Sequence, residues 1–386
     1  MKRFAWAALA ICAFPASAAN PPLALPAALP LEVAALPAYL VVDQASGLAL
    51  EGRNAGLRFV PASVTKVMTA YVAFELIAAG KLSPDRRLTV SPATAAHWSG
   101  KGTSMALRSG ETVSVDALLH GIATASANDA AVVLAEGHAG SVRAWTALMN
   151  AEARRLGLAD SHFATPNGWP DGGATYVSAS DLVKLADALI ARHPELYRRY
   201  FGRRQTDWNG RVLTSHDPVS GIVPGADGIK TGFTREAGYN FLGSAIRDGR
   251  RVFVVVAGAG SEAQRAAAAR ALIDWAYAAW DRRLLFGRGA EVGSARVQGG
   301  DSRQVALVAS RDIGLALPRG SASLGVALHI RYSGPLIAPI AKGAPVAELE
   351  IRVGSRTSRL PLAAARAIGE AGPLDRLWNG IAGLLT

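Results

Sequence analysis

Hydrophobic residues follow the period of a helix through the middle of this chain and the period of a strand on either side of it. A nearly unbroken apolar run, Val67 to Ala79, has Pro61 ahead of it and Gly80 behind it. Proline at the entry and glycine just past the end punctuate a helix, so the pattern predicts one buried helix with Ser63 at its N-terminus. Val115 to Ala125, Ala130 to Gly137, Val142 to Leu156 and Ser180 to Ala191 also read as helices. In the third of these, Trp145, Leu148, Met149 and Leu156 recur at helical spacing, and Ser178 or Ser180 caps the fourth. Ahead of this block, Tyr39 to Asp43 and Leu48 to Glu51 flank Gln44-Ala45-Ser46-Gly47 as a hairpin, and Leu82 to Val115 reads as short strands and turns. Behind it, Phe241 to Ile246 and Arg251 to Ala257 form adjacent antiparallel strands about Arg247-Asp248-Gly249, and Glu262 to Trp280 is a long amphipathic helix. These elements make one α/β unit, residues 38–283, in which the chain leaves a sheet and returns to it.

Past Leu284 the alternation changes. Val305 to Ala309, Ser323 to Tyr332 and Val346 to Val353, separated by glycines and prolines, predict a small all-β domain over residues 284–370. Residues 371–386 return to helical spacing, with Leu374, Leu377, Trp378, Ile381, Leu384 and Leu385 on one face. That face suits a membrane interface or docking on its own domain, and because Asp375 offsets Arg376 the pattern does not choose between them.

The N-terminus has its own pattern. Met1-Lys2-Arg3, an apolar segment from Phe4 to Phe14 and Ala16-Ser17-Ala18 read as a secretory signal peptide over residues 1–18. Pro21, Pro22, Pro26, Pro30 and Pro37 then mark residues 19–37 as an extended leader with little structure. The single cysteine, Cys12, lies in the signal segment, where bulky Ile11 argues against lipidation. A mature chain without cysteine excludes disulfides, thiolate metal sites and a cysteine nucleophile.

Removing Lys2 and Arg3 lowers the formal charge from +11 to +9. For an exported protein that excess fits an acidic wall polymer or an anionic membrane face better than nucleic acid. The seven histidines form no H-E-x-x-H pair, and His97, His138 and His193 read as surface or cap residues. There is no G-x-S-x-G elbow, and Ile229 stands where a phosphate loop needs glycine before its lysine. No metal or cofactor is expected.

Three short motifs carry the chemistry: Ser63-Val64-Thr65-Lys66, Ser126-Ala127-Asn128 and Lys230-Thr231-Gly232. Ser63 sits where the positive end of a helix favours an oxyanion, and Lys66 lies one turn along the same face. A lysine in so apolar a helix has a depressed pKa and can act as base toward Ser63. Ser126 can relay a proton to a leaving amine, and Asn128 can hold Lys66 or a substrate amide. Lys230 adds positive potential and, with Thr231, can bind a substrate carboxylate. Gly232 leaves room for an extended substrate, and the backbone N–H groups of Ser63 and Phe233 are candidate oxyanion donors.

In this order the motifs are the signature of penicillin-binding proteins and class A β-lactamases. The chain resembles the serine D-Ala-D-Ala carboxypeptidases, the low-molecular-mass penicillin-binding proteins. Asp227 to Thr234, Ala237-Gly238-Tyr239-Asn240 and Pro339 to Gly343 extend the likeness over nearly all of the mature chain. The resemblance implies a catalytic domain with an antiparallel sheet flanked by helices, a β-sandwich-like second domain and a C-terminal helix that tethers some members to the inner membrane. It implies removal of the terminal D-alanine from peptidoglycan stem pentapeptides in the periplasm and acylation by β-lactams. Arg265 falls where such enzymes place an arginine for the terminal carboxylate. Two positions depart from the pattern: Ala127 replaces a common glycine, and Phe233 stands where some members carry histidine, which bears on substrate preference. The absence of an E-x-x-L-N sequence between the second and third motifs argues against a β-lactamase. A DD-endopeptidase would use the same residues, and a silent wall-binding module would need no nucleophile.

Overall fold

The computed structural model of the chain describes residues 6–7, 27–98, 100–321, 326–354 and 356–372. The expected signal segment lies outside these apart from Trp6 and Ala7, and the expected C-terminal helix lies outside them apart from Ala371 and Gly372. The chain divides into two compact units, Ala28–Val42 with Ala49–Tyr277, and Met1–Ala27 with Asp43–Leu48 and Ala278–Thr386.

In the first unit the hairpin forms as β1 (Ala38–Asp43) and β2 (Leu48–Arg53). The buried run forms a 3₁₀ turn, Ala62–Thr65, that continues into α1 (Lys66–Ala78). Every residue from Lys66 to Phe74 is buried, as a helix apolar on all sides requires. It packs against α3 (Val115–Ala123), α5 (Val142–Arg155), α6 (Ala179–Arg192) and β3 (Ala226–Thr234). Between α3 and α5 lies α4 (Asn128–Ala139), and the Ser178 hydroxyl caps α6 by accepting from Asp181 N. The later strands are β4 (Gly238–Arg247) and β5 (Arg250–Ala259), followed by α8 (Glu262–Ala279). The sheet order is β2-β1-β5-β4-β3, with β3–β4 and β4–β5 antiparallel, so β3 lies at an edge.

Two local expectations change, and one further helix appears. Residues 82–115 hold a helix, α2 (Pro92–Trp98), beside the short strands; Ser91 caps it and Pro92 opens it, a start signal that the run of turns obscured. Pro194 opens another, α7 (Pro194–Tyr200). The end of the proline-rich leader is pinned, because Val33 and Leu36 are buried and Arg53 Nη1 donates to the carbonyls of Ala34 and Leu36. His193 is a cap residue, closing α6 and preceding α7, and it is buried, with Nε2 2.8 Å from Glu75 Oε1.

Past α8, the described residues of the second unit are all β. Its strands are β6 (Trp280–Phe286), β7 (Glu291–Gln298), β8 (Gln304–Ala309), β9 (Ile313–Pro318), β10 (Val326–Arg331), β11 (Leu336–Ile337), β12 (Pro345–Val353) and β13 (Arg356–Ala364). Trp6–Ala7 and β10, β12, β13, β8, β7 and β11 form one sheet in that order, and β6 pairs with β9. Alternate residues such as Leu349, Ile351, Leu360 and Leu362 form its core. Glu350, on the opposite face of β12, is buried and paired with Arg331, Arg352 and Arg359.

Candidate active site

The turn that carries Ser63, the candidate nucleophile, is held by backbone contacts. Ala62 has φ +50°, a left-handed conformation that costs a non-glycine residue about 1 kcal/mol. The turn rests on β3 at Gly232, where an added Cβ would lie 2.4 Å from the carbonyl oxygen of Pro61 and 3.1 Å from Ser63 N. On the side that faces the turn, the room at Gly232 is thus taken up by the protein's own backbone, so glycine is required there for the approach of β3 as well as for the expected path of the substrate. Asn240 on β4 fixes the entry to the turn: its Nδ2 donates to Val60 O at 3.0 Å, and its Oδ1 accepts from Gly258 N at 2.8 Å.

Lys66 opens α1 and is almost wholly buried. Its Nζ lies 2.8 Å from Ser63 Oγ, 2.8 Å from Asn128 Oδ1 and 2.7 Å from the carbonyl oxygen of Asn167. Burial drives its pKa well below the usual lysine range, the charge of Lys230 pushes the same way, and Asp129 opposes them. A neutral amine has two N–H donors and one lone pair. Asn128 and Asn167 offer only acceptors to Nζ, so they take both donors and leave the lone pair for the hydroxyl proton of Ser63.

The second motif fills the turn between α3 and α4. Ser126 has φ +61° and its carbonyl accepts from Thr103 Oγ1 at 2.7 Å. The neighbouring Asp129 carboxylate accepts from Met105 N, Leu107 N and Ser104 Oγ, which ties the 103–107 strap over the start of α4. Asn128 therefore presents its side chain to Lys66 from a fixed backbone.

The third motif lies on edge strand β3. Lys230 and Thr231 are buried, and Lys230 Nζ donates to Thr231 O at 3.0 Å. Burial, then the charge of Arg265, bring the Lys230 pKa down to about 7, against the opposing pull of Asp217. Arg265, on the first turns of α8, is buried, bonded through Nη2 to Glu262, and its Nε has no partner among the described residues. Its guanidinium sits 5.8 Å from the Tyr239 ring, and Tyr239 stacks on half-exposed Phe233 at 4.1 Å. Phe233 is thereby an aromatic rim anchored to Arg265, a setting that its place in the sequence did not reveal. His216 adjoins this cluster: burial, then Lys230 and Arg265, depress its pKa, while Glu262 acts in the opposite direction.

Residues from three distant stretches, 63–66, 126–128 and 167, thus meet at one amine. Residues 25–261 match the family model of D-alanyl-D-alanine carboxypeptidase. The chain belongs to this carboxypeptidase family of serine hydrolases. Residues 280–370 match the C-terminal domain of penicillin-binding protein 5. The chain is 34% identical over 348 residues to the D-alanyl-D-alanine carboxypeptidase DacD of Salmonella typhimurium, covering 88% of each chain. Penicillin-binding protein 5 from Haemophilus influenzae has a similar structure, with TM-score 0.71 and 29% identity over 87% of this chain and 98% of that one. Penicillin-binding protein D2 of Listeria monocytogenes in its ampicillin-bound form gives TM-score 0.56 and 31% identity over 64% of this chain and 98% of that one.

The candidate site also includes a residue that the motifs do not contain. Asn167 acts through its backbone carbonyl, and the following Gly168, at φ +73°, brings the loop against the nucleophile turn. Pro166-Asn167-Gly168 is readable as a turn, but no residue type marks which carbonyl will meet a lysine.

Proposed function

We propose that this carboxypeptidase removes the terminal D-alanine from peptidoglycan stem pentapeptides through an acyl-Ser63 intermediate. The observation that carries the reading is the Lys66 amine, buried, depressed in pKa and 2.8 Å from the Ser63 hydroxyl. Ser63 Oγ attacks the carbonyl of the penultimate D-alanine as its proton passes to Lys66 Nζ. The backbone N–H groups of Ser63 and Phe233 stabilise the oxyanion, and collapse breaks the amide bond. The departing D-alanine amine takes the proton from Lys66, relayed by Ser126. Water then attacks the ester and gives its proton to Lys66, and as the tetrahedral intermediate collapses Lys66 returns that proton to Ser63 Oγ, releasing the shortened peptide acid and the free enzyme. Asn128 orients Lys66, and Lys230, Thr231 and Arg265 receive the terminal carboxylate. Gly232 lets β3 approach the nucleophile turn.

The same serine is the site of acylation by β-lactams. Residues 38–283 are the catalytic domain and 284–370 the all-β domain. A signal peptide over 1–18, followed by a leader over 19–37, directs the chain to the periplasm, where the amphipathic face of residues 371–386 contacts the inner membrane; the N-terminal sequence pattern supports the first assignment, and the resemblance to carboxypeptidases with a tethering C-terminal helix supports the last. Intact-mass spectrometry after brief exposure to benzylpenicillin tests the centre. A one-drug adduct on the wild type and none on Ser63→Ala is expected, whereas an unmodified wild type with intact drug would overturn the acyl-serine reading.

A further inference from the structure

A groove of about 450 Å³ lies within the all-β unit, lined by none of the residues of the candidate active site. It runs where β10 ends and β12 begins, with Arg359 and Pro361 of β13 alongside. Residues paired across antiparallel strands share a face, and the register pairs Arg331 with Glu348, Glu348 with Pro361 and Glu350 with Arg359. Tyr332, Pro345 and Pro361 make part of the lining apolar. The charges are of both signs. The guanidiniums of Arg331, Arg352 and Arg359, from three adjacent strands, converge on the buried carboxylate of Glu350, which offsets only one of their positive charges. Arg359 meets Glu350 through Nε at 3.0 Å, its side chain is 52% exposed, and its two Nη groups have no partner among the described residues. Glu348 is exposed, and its carboxylate likewise takes no partner among the described residues even though Arg331 stands opposite it.

We propose that this groove binds an α-amino-acid head group, an ammonium and a carboxylate on one carbon, carried at the end of an aliphatic chain. Arg359 and Arg331 receive the carboxylate, for which a guanidinium offers paired donors, and Glu348 receives the ammonium. The apolar lining covers the methylene chain, as it would that of a lysine. The mixture of signs rejects simpler ligands, because a juxtaposed like charge costs binding. A phosphate or a plain dicarboxylate would be set against Glu348, and a polyamine against the two guanidiniums. The volume lies in the range of small-molecule sites, so the occupant is a free amino acid or a single side chain of a wall peptide. Glu350 assembles the site, since its carboxylate gathers the three arginines on one face.

The test is calorimetric titration of the exported chain with three compounds built on one aliphatic chain. Meso-2,6-diaminopimelate carries the head group, pimelate lacks the ammonium groups, and 1,5-diaminopentane lacks the carboxylates. Diaminopimelate is expected to bind about tenfold more tightly than either, as charge-assisted hydrogen bonds of both signs imply. Glu348→Gln should erase its advantage over pimelate, and Arg359→Gln its advantage over 1,5-diaminopentane, while D-alanine release stays at the wild-type rate in both. Thermal melts check Arg359→Gln, which leaves Glu350 with two arginines; Glu348 is exposed and its variant keeps the question open to test if the other unfolds. A disaccharide tripeptide ending in diaminopimelate separates the two sources. Binding at least as tight as that of the free amino acid assigns the site to wall peptide, and binding of the free amino acid alone assigns it to a soluble ligand. Equal affinity for the three compounds, no binding of diaminopimelate free or in the peptide, or an affinity unchanged in a folded variant would overturn the proposal. Binding is read without turnover, so these outcomes stand apart from the carboxypeptidase reading.

Discussion

Replacing Gly232 by alanine separates a glycine that spares substrate from one that seats the nucleophile. The added Cβ would meet Pro61 O at 2.4 Å and the nitrogens of Ser63 and Val64 at 3.1 Å. All three are backbone atoms, so no side-chain rotation relieves the contact. Reaching ordinary separation from Pro61 O, 3.4 Å, requires β3 and the turn to part by about 1 Å. Misplacement of that size between groups that must act together costs about 10²-fold in rate, or about 2.7 kcal/mol of barrier. The assay is the second-order rate constant for acylation by benzylpenicillin, read beside D-alanine release from a peptide. Both are expected to fall about 100-fold in Gly232→Ala. Overpacking of about 1–3 kcal/mol lowers the melting temperature by several degrees without unfolding the protein at 25 °C. Acylation within threefold of wild type together with loss of peptide turnover would refute the reasoning, because it would show that the glycine guards substrate alone.

Other outcomes follow from the same contacts. Lys66→Arg keeps a cation that cannot surrender its proton, so the variant should form no penicilloyl adduct by mass. As pH rises through about 7, Lys230 in the free enzyme loses its charge, so kcat/KM for a carboxylate-bearing peptide should decline above that value; a profile level from pH 7 to 9 would contradict this. Asn240→Ala removes the bonds to Val60 and Gly258, each worth about 1 kcal/mol, and should lower both melting temperature and acylation rate. The hydrogen bond from Arg331, joined by those from Arg359 and Arg352, holds Glu350 at about pKa 2, below its ordinary 4.5. The stability this contributes is present above pH 4.5 and is lost as pH falls toward 2, so melts of wild type and Glu350→Gln should converge over that interval.

The candidate site was legible wherever chemistry depends on a side chain of a given type. Ser63, Lys66, Ser126, Asn128 and Lys230 announce themselves because a hydroxyl, an amine and an amide at those spacings have few other reasons to occur together. The long elements were legible for a similar reason, since α1, α5, α6 and α8 each carry a clear apolar period or cap. What escaped was short or acted through the backbone. Seven-residue α2 offers too few turns for a period to show, although Ser91 and Pro92 mark its start. Asn167 contributes a carbonyl, which every residue possesses. Burial of His193 depends on Tyr71 and Phe74, whose rings lie 5.7 and 5.9 Å from its own and come from a helix more than a hundred residues earlier.

The two glycines nearest the nucleophile explain why a strained turn persists. Gly232 presses on the turn from the sheet at Pro61 O, and Gly168 presses from the helical side, where an added Cβ would lie only 1.8 Å from Ala62 O. Ala62, between these contacts, is the residue with positive φ. A left-handed alanine relaxes when its neighbours can move, and persists when the surrounding backbone over-determines it. Here the clamp is closed by elements anchored elsewhere: β3 by its pairing with β4, and the Asn167 loop by the Thr69 hydroxyl of α1, which donates to Pro166 O at 2.6 Å. Because Thr69 lies one turn beyond Lys66, the helix that carries Lys66 also holds the loop whose Asn167 carbonyl bonds the Lys66 amine. Strain at Ala62 and the proton position on Lys66 are therefore set by the same packing, and neither can relax without disturbing the other.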